Sequence, residues 1–249
     1  PIYIRGGTHL IRIQSGFYAG ADSIEAQVAL FRCIAAASPE IGRELAGLKV
    51  LAVQGGSLPG IVTTSRPVNT LDDLKGLRLR APTELLSVLR ALGADPVNMP
   101  MGEVYSAMSK GVIDGALIPW EVVPSMKFEE ITRFHTESPA GYPQMLNTVF
   151  LFGMNQAKYD SLSPELKKVI DANSGPEKSA WVGKVFAEDA SPGRKAAEAR
   201  KNTFHTLPEA EIKRWIAATA KLADEWVADM NAKGYDGKRL LEEAKAACK

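Results

Sequence analysis

The chain has 249 residues, of which 45% are hydrophobic and 24% charged, and its formal net charge at pH 7 is +1. A chain of this length can bury the core of one or two globular domains. The near-neutral charge, without a basic run that carries interleaved aromatic residues, gives no electrostatic footprint for binding nucleic acid. No stretch approaches about 18 consecutive apolar residues, so no segment is predicted to cross a membrane.

The first part of the chain is predicted to alternate helix and strand. Residues 21–37 repeat apolar side chains at helical spacing, and Ser38-Pro39 ends that helix. Residues 48–53 form an apolar run with glycines on both sides, which is typical of a fully buried parallel strand. After a glycine-rich loop, residues 61–64 are predicted to be the next strand.

The densest pattern of start, stop and periodicity signals lies in residues 70–124. Thr70 can cap a short helical turn, and Gly76 can end it. Strands and helices are then predicted in alternation: a strand at 77–80, a helix between Pro82 and Gly93, a strand at 96–99, a helix at 102–110 and a strand at 113–118. This order predicts a parallel sheet with helical crossovers, in which ligands bind beyond the carboxyl ends of the strands. Arg80 and the turn at 118–121 are predicted to lie at that edge.

The remainder of the chain is predicted to be mainly helical. Ser163, Pro164 and Glu165 form a typical helix start, with serine as the cap and proline at the first position. That helical pattern continues to about residue 200, with an interruption or kink near Pro192. The other predicted elements are a short helix and a strand within 126–137, strands at 145–153 and 202–206, an amphipathic helix at 208–230 and a last helix at 238–247.

A long run of residues between 71 and 127 carries a family-specific pattern. Its parts are LDDLKGLRLR (71–80), LGA (92–94), Pro96, MP (99–100), EVY (103–105), AM (107–108), GVIDG (111–115) and MK (126–127). This pattern resembles the core of the solute receptors of TRAP transporters, the periplasmic proteins that deliver organic acids to tripartite membrane carriers. Weaker similarity extends through residues 147–159 and 162–170, so the resemblance covers most of the chain.

The resemblance implies an α/β, bilobal fold of the periplasmic-binding-protein type. Two lobes with parallel or mixed sheets would be joined by crossover strands and a long helix. The strand-helix-strand unit with which such receptors usually open has no counterpart before Pro1, and the sequence leaves open whether the protein lacks it. The implied division is 1–57 for the first part of lobe I, 58–145 for the first part of lobe II, 146–185 for the return to lobe I, and 186–249 for the spanning helix and the C-terminal helices, packed mainly on lobe II.

The same resemblance implies an extracytoplasmic receptor that binds an organic acid and delivers it to the permease subunits of a TRAP transporter. Its lobes would close around the ligand and create the surface that the permease recognises. The implied location is the periplasm, reached through a signal peptide that these residues do not include, without direct insertion into the membrane. The alternative is an enzyme or a ligand-sensing domain on the same scaffold, which ligand turnover or an attached signalling segment would identify.

Arg80 is the predicted ligand anchor. A guanidinium group binds a carboxylate through two parallel hydrogen bonds, and the end of a strand can hold it rigidly. Taken without the family pattern, an arginine at a strand end is usually a surface residue in water or in a salt bridge. Within the pattern, Arg80 matches the position that binds the ligand carboxylate. Arg78 is expected to face solvent or a structural partner, and Asp114 is expected to be structural.

Four further residues complete the predicted ligand site: Met101, Ile118, Trp120 and Asn147. The first two stand where the family often has an aromatic residue and an asparagine, and Gly60 lies near a second arginine of some sugar-acid receptors. These differences predict a pocket for a hydrophobic or aryl monocarboxylate rather than for a sialic acid or a C4-dicarboxylate. Trp120 can stack on such a ligand or belong to the core between the lobes. Asn147 matches a position in the pocket wall and is predicted to be a polar contact.

The sequence carries no pattern that indicates catalysis, a metal site or a cofactor. His9, His135 and His205 lie far apart, without a nucleophile motif or metal-ligand spacing. We therefore expect a binding protein that is not an enzyme. Cys33 and Cys248 have no metal-ligand spacing either. A buried thiol at position 33 is expected, and pairing of the two cysteines is left open.

Overall fold

The chain folds into helices packed on two β-sheets. The computed structural model describes residues 23–55, 60–142 and 149–247. The strands in these ranges are β1 Leu48–Gly55, β2 Ile61–Thr63, β3 Arg78–Arg80, β4 Asp95–Val97, β5 Gly115–Leu117, β6 Phe134–Glu137, β7 Val149–Asn155 and β8 Thr203–Thr206. The helices are α1 Ile24–Ala37, α2 Pro39–Glu44, α3 Leu86–Ala91, α4 Met101–Ser109, α5 Val122–Ser125, α6 Phe128–Ile131, α7 Gln156–Asp160, α8 Pro164–Ala172, α9 Pro176–Ala199, α10 Glu209–Thr219, α11 Leu222–Ala232 and α12 Gly237–Ala247.

The larger sheet has the strand order β4-β3-β5-β2-β6-β8 within the described residues. Strand β3 is parallel to β4 and β5, which confirms the parallel unit predicted from residues 70–124. Strand β2 runs antiparallel to β5 and β6, and β8 is parallel to β6. The sheet is therefore mixed, with its parallel part at the end that carries Arg80.

Local signals position the parallel unit as predicted. The Asp73 carboxylate accepts hydrogen bonds from the backbone N–H of Thr70, at 2.9 Å, and from the Thr70 hydroxyl, at 3.0 Å. This contact caps the short 3-10 turn that precedes β3. Gly76 ends the turn and Gly93 follows α3, with φ of 70° and 93°, in the left-handed region where glycine has no Cβ penalty.

The smaller sheet shows that the prediction of a fully buried parallel strand at residues 48–53 is wrong. Strand β1 pairs with β7, which runs antiparallel to it. Its first residue, Leu48, is 41% exposed, and most of the strand is half-buried. An apolar run predicts a strand, but it does not specify the direction of the neighbouring strand or how completely each face is covered.

Helix α9 connects the two sheets. Residues 163–200 form two helices, α8 and α9, and the Ser163 side chain caps the first of them as predicted. The start of α9 lies along β1: the N–H of Gly175 donates to the carbonyl of Leu51, and Ser179 Oγ accepts from the N–H of Val53. Its second half passes through Pro192 without ending and packs on α5 and α6. The helix thus spans from the smaller sheet to the larger one.

The C-terminal helices divide between two hydrophobic cores. The predicted single helix at 208–230 is α10 and α11, which break after Thr219. Trp215 of α10 packs in the core of the larger sheet, with Leu79 of β3. Met230 of α11 packs in the core of the smaller sheet, with Phe31 of α1, and α12 also contacts α1. The C-terminal helices are therefore shared between the two cores. The lobe boundaries, and the implied packing of these helices mainly on lobe II, stay predictions.

Cys33 lies in α1 and is disulfide-bonded. The expectation of a buried free thiol at this position is therefore wrong, because a disulfide sulfur carries no proton. Cys248 lies outside the described residues. Disulfides persist in oxidising compartments outside the cytoplasm, so this bond agrees with the implied extracytoplasmic location.

Two glycines of α9 give a matched test of its packing. A Cβ at Gly193 would lie 2.0 Å from the Trp120 carbonyl oxygen, whereas a Cβ at Gly183 would lie 3.5 Å from Ile24 Cγ2, an ordinary contact. Gly183→Ala should stabilise the protein by up to about 1 kcal/mol, because alanine favours the helix. Gly193→Ala should instead destabilise it by roughly 1–2 kcal/mol, because the overpacking outweighs that gain. Urea unfolding of the two variants measures both changes, and equal signs would contradict this close approach.

Candidate functional site

The carboxyl ends of the parallel strands form one continuous border of the larger sheet. Arg80, the last residue of β3, stands opposite Val97 of β4 and Ala116 of β5. The register continues across β2 to β6 and β8, so Glu137 and Thr206 end their strands at the same border. The predicted ligand edge therefore comprises the ends of five strands and the start of β2.

One row of side chains crosses the sheet just inside this border. From β3 across to β8, beside Val97 of β4, the strand register aligns five residues, and aligned residues project from the same face of a sheet. Small and apolar side chains separate the arginine at one end of the row from the aromatic rings at the other. In spatial order the row is Arg80, Ala116, Val62, His135 and Phe204.

Arg80 is almost completely buried, with 2% of its surface exposed. Its Nε donates a hydrogen bond of 3.1 Å to the carbonyl oxygen of Met99, which follows β4. Burial of a guanidinium group is costly unless its donors have partners, so a buried arginine at a strand end is positioned by its surroundings. Its place at the carboxyl end of a parallel strand is as predicted. That this edge binds the ligand, and that Arg80 contacts a carboxylate, stay predictions.

Arg78 has the structural role that the sequence predicted. Its guanidinium group binds the Asp114 carboxylate at 2.9 Å and 3.1 Å and donates to the Gly111 carbonyl at 2.9 Å. The Asp114 carboxylate also accepts from the Arg78 backbone N–H. These contacts with Arg78 lower the pKa of Asp114 below its usual range. The two arginines of β3 therefore differ: Arg78 is exposed and paired with Asp114, whereas Arg80 is buried at the edge and donates to the Met99 carbonyl.

The predicted apolar contacts share one core cluster. Ile118 is completely buried in it, Trp120 is 6% exposed, and Met101 packs against it. The cluster covers the face of the sheet from which Arg80 projects, because it also contains Val62 and Ala116 of the row. Asn147, the fifth predicted residue, lies outside the described residues.

Trp120 belongs to a cluster of three stacked rings. Its ring centroid lies 5.0 Å from that of His135 and 5.9 Å from that of Phe204, and the last two rings lie 5.0 Å apart. The Arg194 guanidinium group lies 4.2 Å from the centroid of Phe204 and 5.9 Å from that of Trp120. Trp120 thus packs in a core cluster on the larger sheet. Its place between the lobes and its stacking on a ligand both stay predictions.

His135 is held neutral within this cluster. The amide nitrogen of Asn202 lies 3.1 Å from both His135 Nε2 and the Thr132 hydroxyl. Nδ1 is buried and makes no hydrogen bond to the described residues. Burial, and secondarily the charge of Arg194, lower the pKa of His135 to about 4.

Gly60 closes the border between β5 and β6. A Cβ built on it would lie 1.4 Å from the Thr136 carbonyl oxygen and 3.2 Å from the Glu137 nitrogen. This backbone therefore leaves no room for a side chain at position 60. An arginine here, near the position at which some sugar-acid receptors have a second arginine, would require the strands to move apart.

Sequence reasoning missed four residues around the border: His135, Glu137, Arg194 and Phe204. Glu137 forms an ion pair with Arg194, and the two are separated by 57 positions in the chain. Their convergence depends on the register of β6 with β8 and on the packing of α9. The sequences of the two short strands, FHTE (134–137) and TFHT (203–206), give no local signal of this convergence.

The described ranges contain no helix with the length and hydropathy needed to cross a bilayer. They also contain no group of three or more His, Cys, Asp or Glu side chains that could bind a metal ion.

Comparison with known proteins identifies relatives of the chain. Residues 40–229 match the sequence model of DctP, the bacterial extracellular solute-binding protein family 7. The 2,3-diketo-L-gulonate-binding periplasmic protein YiaO of Escherichia coli is 34% identical over 145 residues, which are 57% of this chain and 42% of that protein. The chain thus spans less than half the length of this curated relative.

Two solved structures resemble the whole chain. One is a TRAP solute-binding protein of Rhodoferax ferrireducens with copurified benzoate, at 37% identity and a TM-score of 0.89 over 100% of this chain and 76% of that one. The other is a marine metagenome TRAP solute-binding protein specific for aromatic acid ligands, from an unidentified microbe, with metahydroxyphenylacetate. It has 34% identity and a TM-score of 0.90 over 99% of this chain and 76% of that one. These likenesses confirm the bilobal α/β fold, and the chain belongs to the bacterial extracellular solute-binding protein family 7.

Proposed function

We propose that the chain is a receptor for an aromatic or other hydrophobic monocarboxylate. Arg80 binds the carboxylate, and the apolar body of the ligand lies toward Met101, Ile118 and Trp120. The observation that carries the proposal is the row across the sheet, which puts a buried guanidinium group and an apolar cluster on one face at one border. An anion with a hydrophobic body is the ligand whose chemistry matches both parts.

The relatives support this class of ligand. The two similar solved structures contain benzoate and metahydroxyphenylacetate, which both join a carboxylate to an aromatic ring. YiaO, in contrast, is named for a sugar acid. The backbone at Gly60 favours the aromatic acids, because it admits no second cationic side chain at that position for a more polar acid.

The receptor works outside the cytoplasm with the membrane subunits of a TRAP transporter. Closure of the two lobes around the acid presents the surface that the permease recognises, and release follows when the lobes reopen. The protein reaches the periplasm through a signal peptide and performs no catalysis. The family, the structural relatives and the disulfide at Cys33 support this assignment.

Ligand-induced thermal stabilisation tests the proposal. Benzoate and 3-hydroxyphenylacetate at 100 times their dissociation constants should each stabilise the protein by about 2.7 kcal/mol, because only the folded chain binds them. Succinate and 2,3-diketo-L-gulonate at the same concentrations should give a smaller shift. Calorimetric titration of the best acid then gives its dissociation constant.

Each outcome of this comparison has a clear meaning. If only the sugar acid or only succinate stabilised the protein, the aromatic class of ligand would be rejected and the receptor function would stand. No shift with any acid would reject the receptor. If chromatography of the mixture shows that the ligand is converted to another compound, an enzyme on the same scaffold would be favoured.

A further inference from the structure

A carboxylate stands at the same border as the proposed ligand anchor. Glu137 ends β6, two positions beyond His135 of the row, so strand alternation places it on the face that carries Arg80. Three strand spacings separate β3 from β6, or roughly 14 Å along the border. The Glu137 side chain is only 20% exposed, so water screens its charge incompletely. An uncompensated charge here would repel an anionic ligand.

Arg194 of α9 is the partner of this carboxylate. Its Nη1 donates to Glu137 Oε1, and its Nε lies 3.1 Å from Glu198 Oε1, one helical turn further along α9. The guanidinium group also lies over the Phe204 ring, at 4.2 Å from its centroid. Glu198 is half exposed and therefore well screened by solvent. The compensation that Arg194 provides thus acts mainly on Glu137.

We propose that Arg194 is a positioning residue for ligand binding, which neutralises Glu137 and so keeps the border of the sheet receptive to an anion. This role rests on the proposed function, because it requires an acid bound at Arg80. It adds a residue from the spanning helix to a site otherwise built from the sheet. Arg194 acts through Glu137 and needs no contact with the ligand.

The test compares three variants by calorimetric titration with benzoate: Arg194→Gln, Glu137→Gln and the double variant. Arg194→Gln should weaken benzoate binding by about three- to tenfold, because Glu137 then repels the carboxylate across the border. The double variant should return to within about twofold of the original affinity, since it has no unpaired charge at Glu137. Glu137→Gln alone should bind as tightly as the original chain or more tightly.

Ionic strength separates a charge effect from a packing defect. The loss in Arg194→Gln should shrink when salt is raised from 0.1 M to 1 M, because the screening length falls from about 10 Å to about 3 Å. Loss of the stacking on Phe204 would persist at high salt and would also persist in the double variant. Circular dichroism and thermal unfolding of each variant establish that it is folded before titration.

The outcomes distinguish this inference from the function on which it rests. Benzoate binding that Arg194→Gln leaves unchanged, or a double variant as weak as Arg194→Gln, would overturn the role of Arg194 and leave the receptor intact. Absence of acid binding by the unsubstituted chain would overturn the receptor and the role of Arg194 together. Restored affinity in the double variant, with a salt-dependent loss in the single one, is the result that we expect.

Discussion

Replacing Arg80 by alanine should weaken benzoate binding by about 2–5 kcal/mol, or roughly 30-fold at the least. The reason is the burial of Arg80, which is 2% exposed at the end of β3. A ligand carboxylate bound beside it would be buried as well, and removal of the guanidinium group would leave that charge unpaired. Isothermal titration calorimetry on the folded variant measures the loss.

Arg78→Ala is the matched control for this prediction. It removes the other arginine of the same short strand, but that side chain is exposed and paired with Asp114. We expect Arg78→Ala to change benzoate affinity by less than about twofold, since its contacts lie away from the proposed ligand. Affinity retained within about threefold in Arg80→Ala, or equal losses in both variants, would contradict the assignment of Arg80 as the anchor.

Acid should weaken the fold through His135. Its pKa is lowered to about 4 in the folded chain by burial and by Arg194, whereas an unfolded histidine has a pKa near 6.5. Between these values the unfolded chain binds more protons, so this contribution to stability is complete above about pH 6.5 and falls as the pH approaches 4. The expected loss is about 2 kcal/mol at pH 5 and about 3 kcal/mol at pH 4.

His135→Phe isolates this contribution from the other titrating groups. The phenyl ring keeps the stacking on Trp120 and Phe204 but binds no proton. Urea unfolding at intervals from pH 7 to pH 4 should therefore give a shallower fall in stability for the variant than for the original chain. Parallel curves would show that His135 has the same proton affinity in both states, and would contradict the effect of burial on its pKa.

The parallel unit of the larger sheet could be predicted because its signals are local. The cap at Thr70 and the stops at Gly76 and Gly93 lie within a few residues of the elements that they bound. The burial and pairing of β1 could not be predicted in this way. An apolar strand can have a parallel or an antiparallel neighbour, and the choice depends on a segment distant in sequence, here β7. Continuation of α9 past Pro192 depends in the same way on packing against distant helices.

The candidate site divides along the same line. Arg80 and the apolar turn after β5 could be placed at the ligand edge from strand order alone, because they follow predicted parallel strands. Their neighbours His135, Glu137 and Phe204 required the register of antiparallel β2 and of β8, which no local pattern specifies. Arg194 required the position of a helix on that face. Charge and burial at the site are therefore products of tertiary structure.

Helix α9 is held by the sheets near both of its ends. Its first turns are hydrogen-bonded to β1 through Gly175 and Ser179. Near its other end, Gly193 lies against the Trp120 backbone, and this close packing opposes a shift of the helix along its axis. A rotation of one lobe against the other must then bend the helical segment between Ser179 and Gly193. Pro192 lacks a backbone N–H and so removes one hydrogen bond from that segment. The helix is therefore most easily bent there. The stiffness of about four helical turns would thus set part of the elastic cost of closing on a ligand.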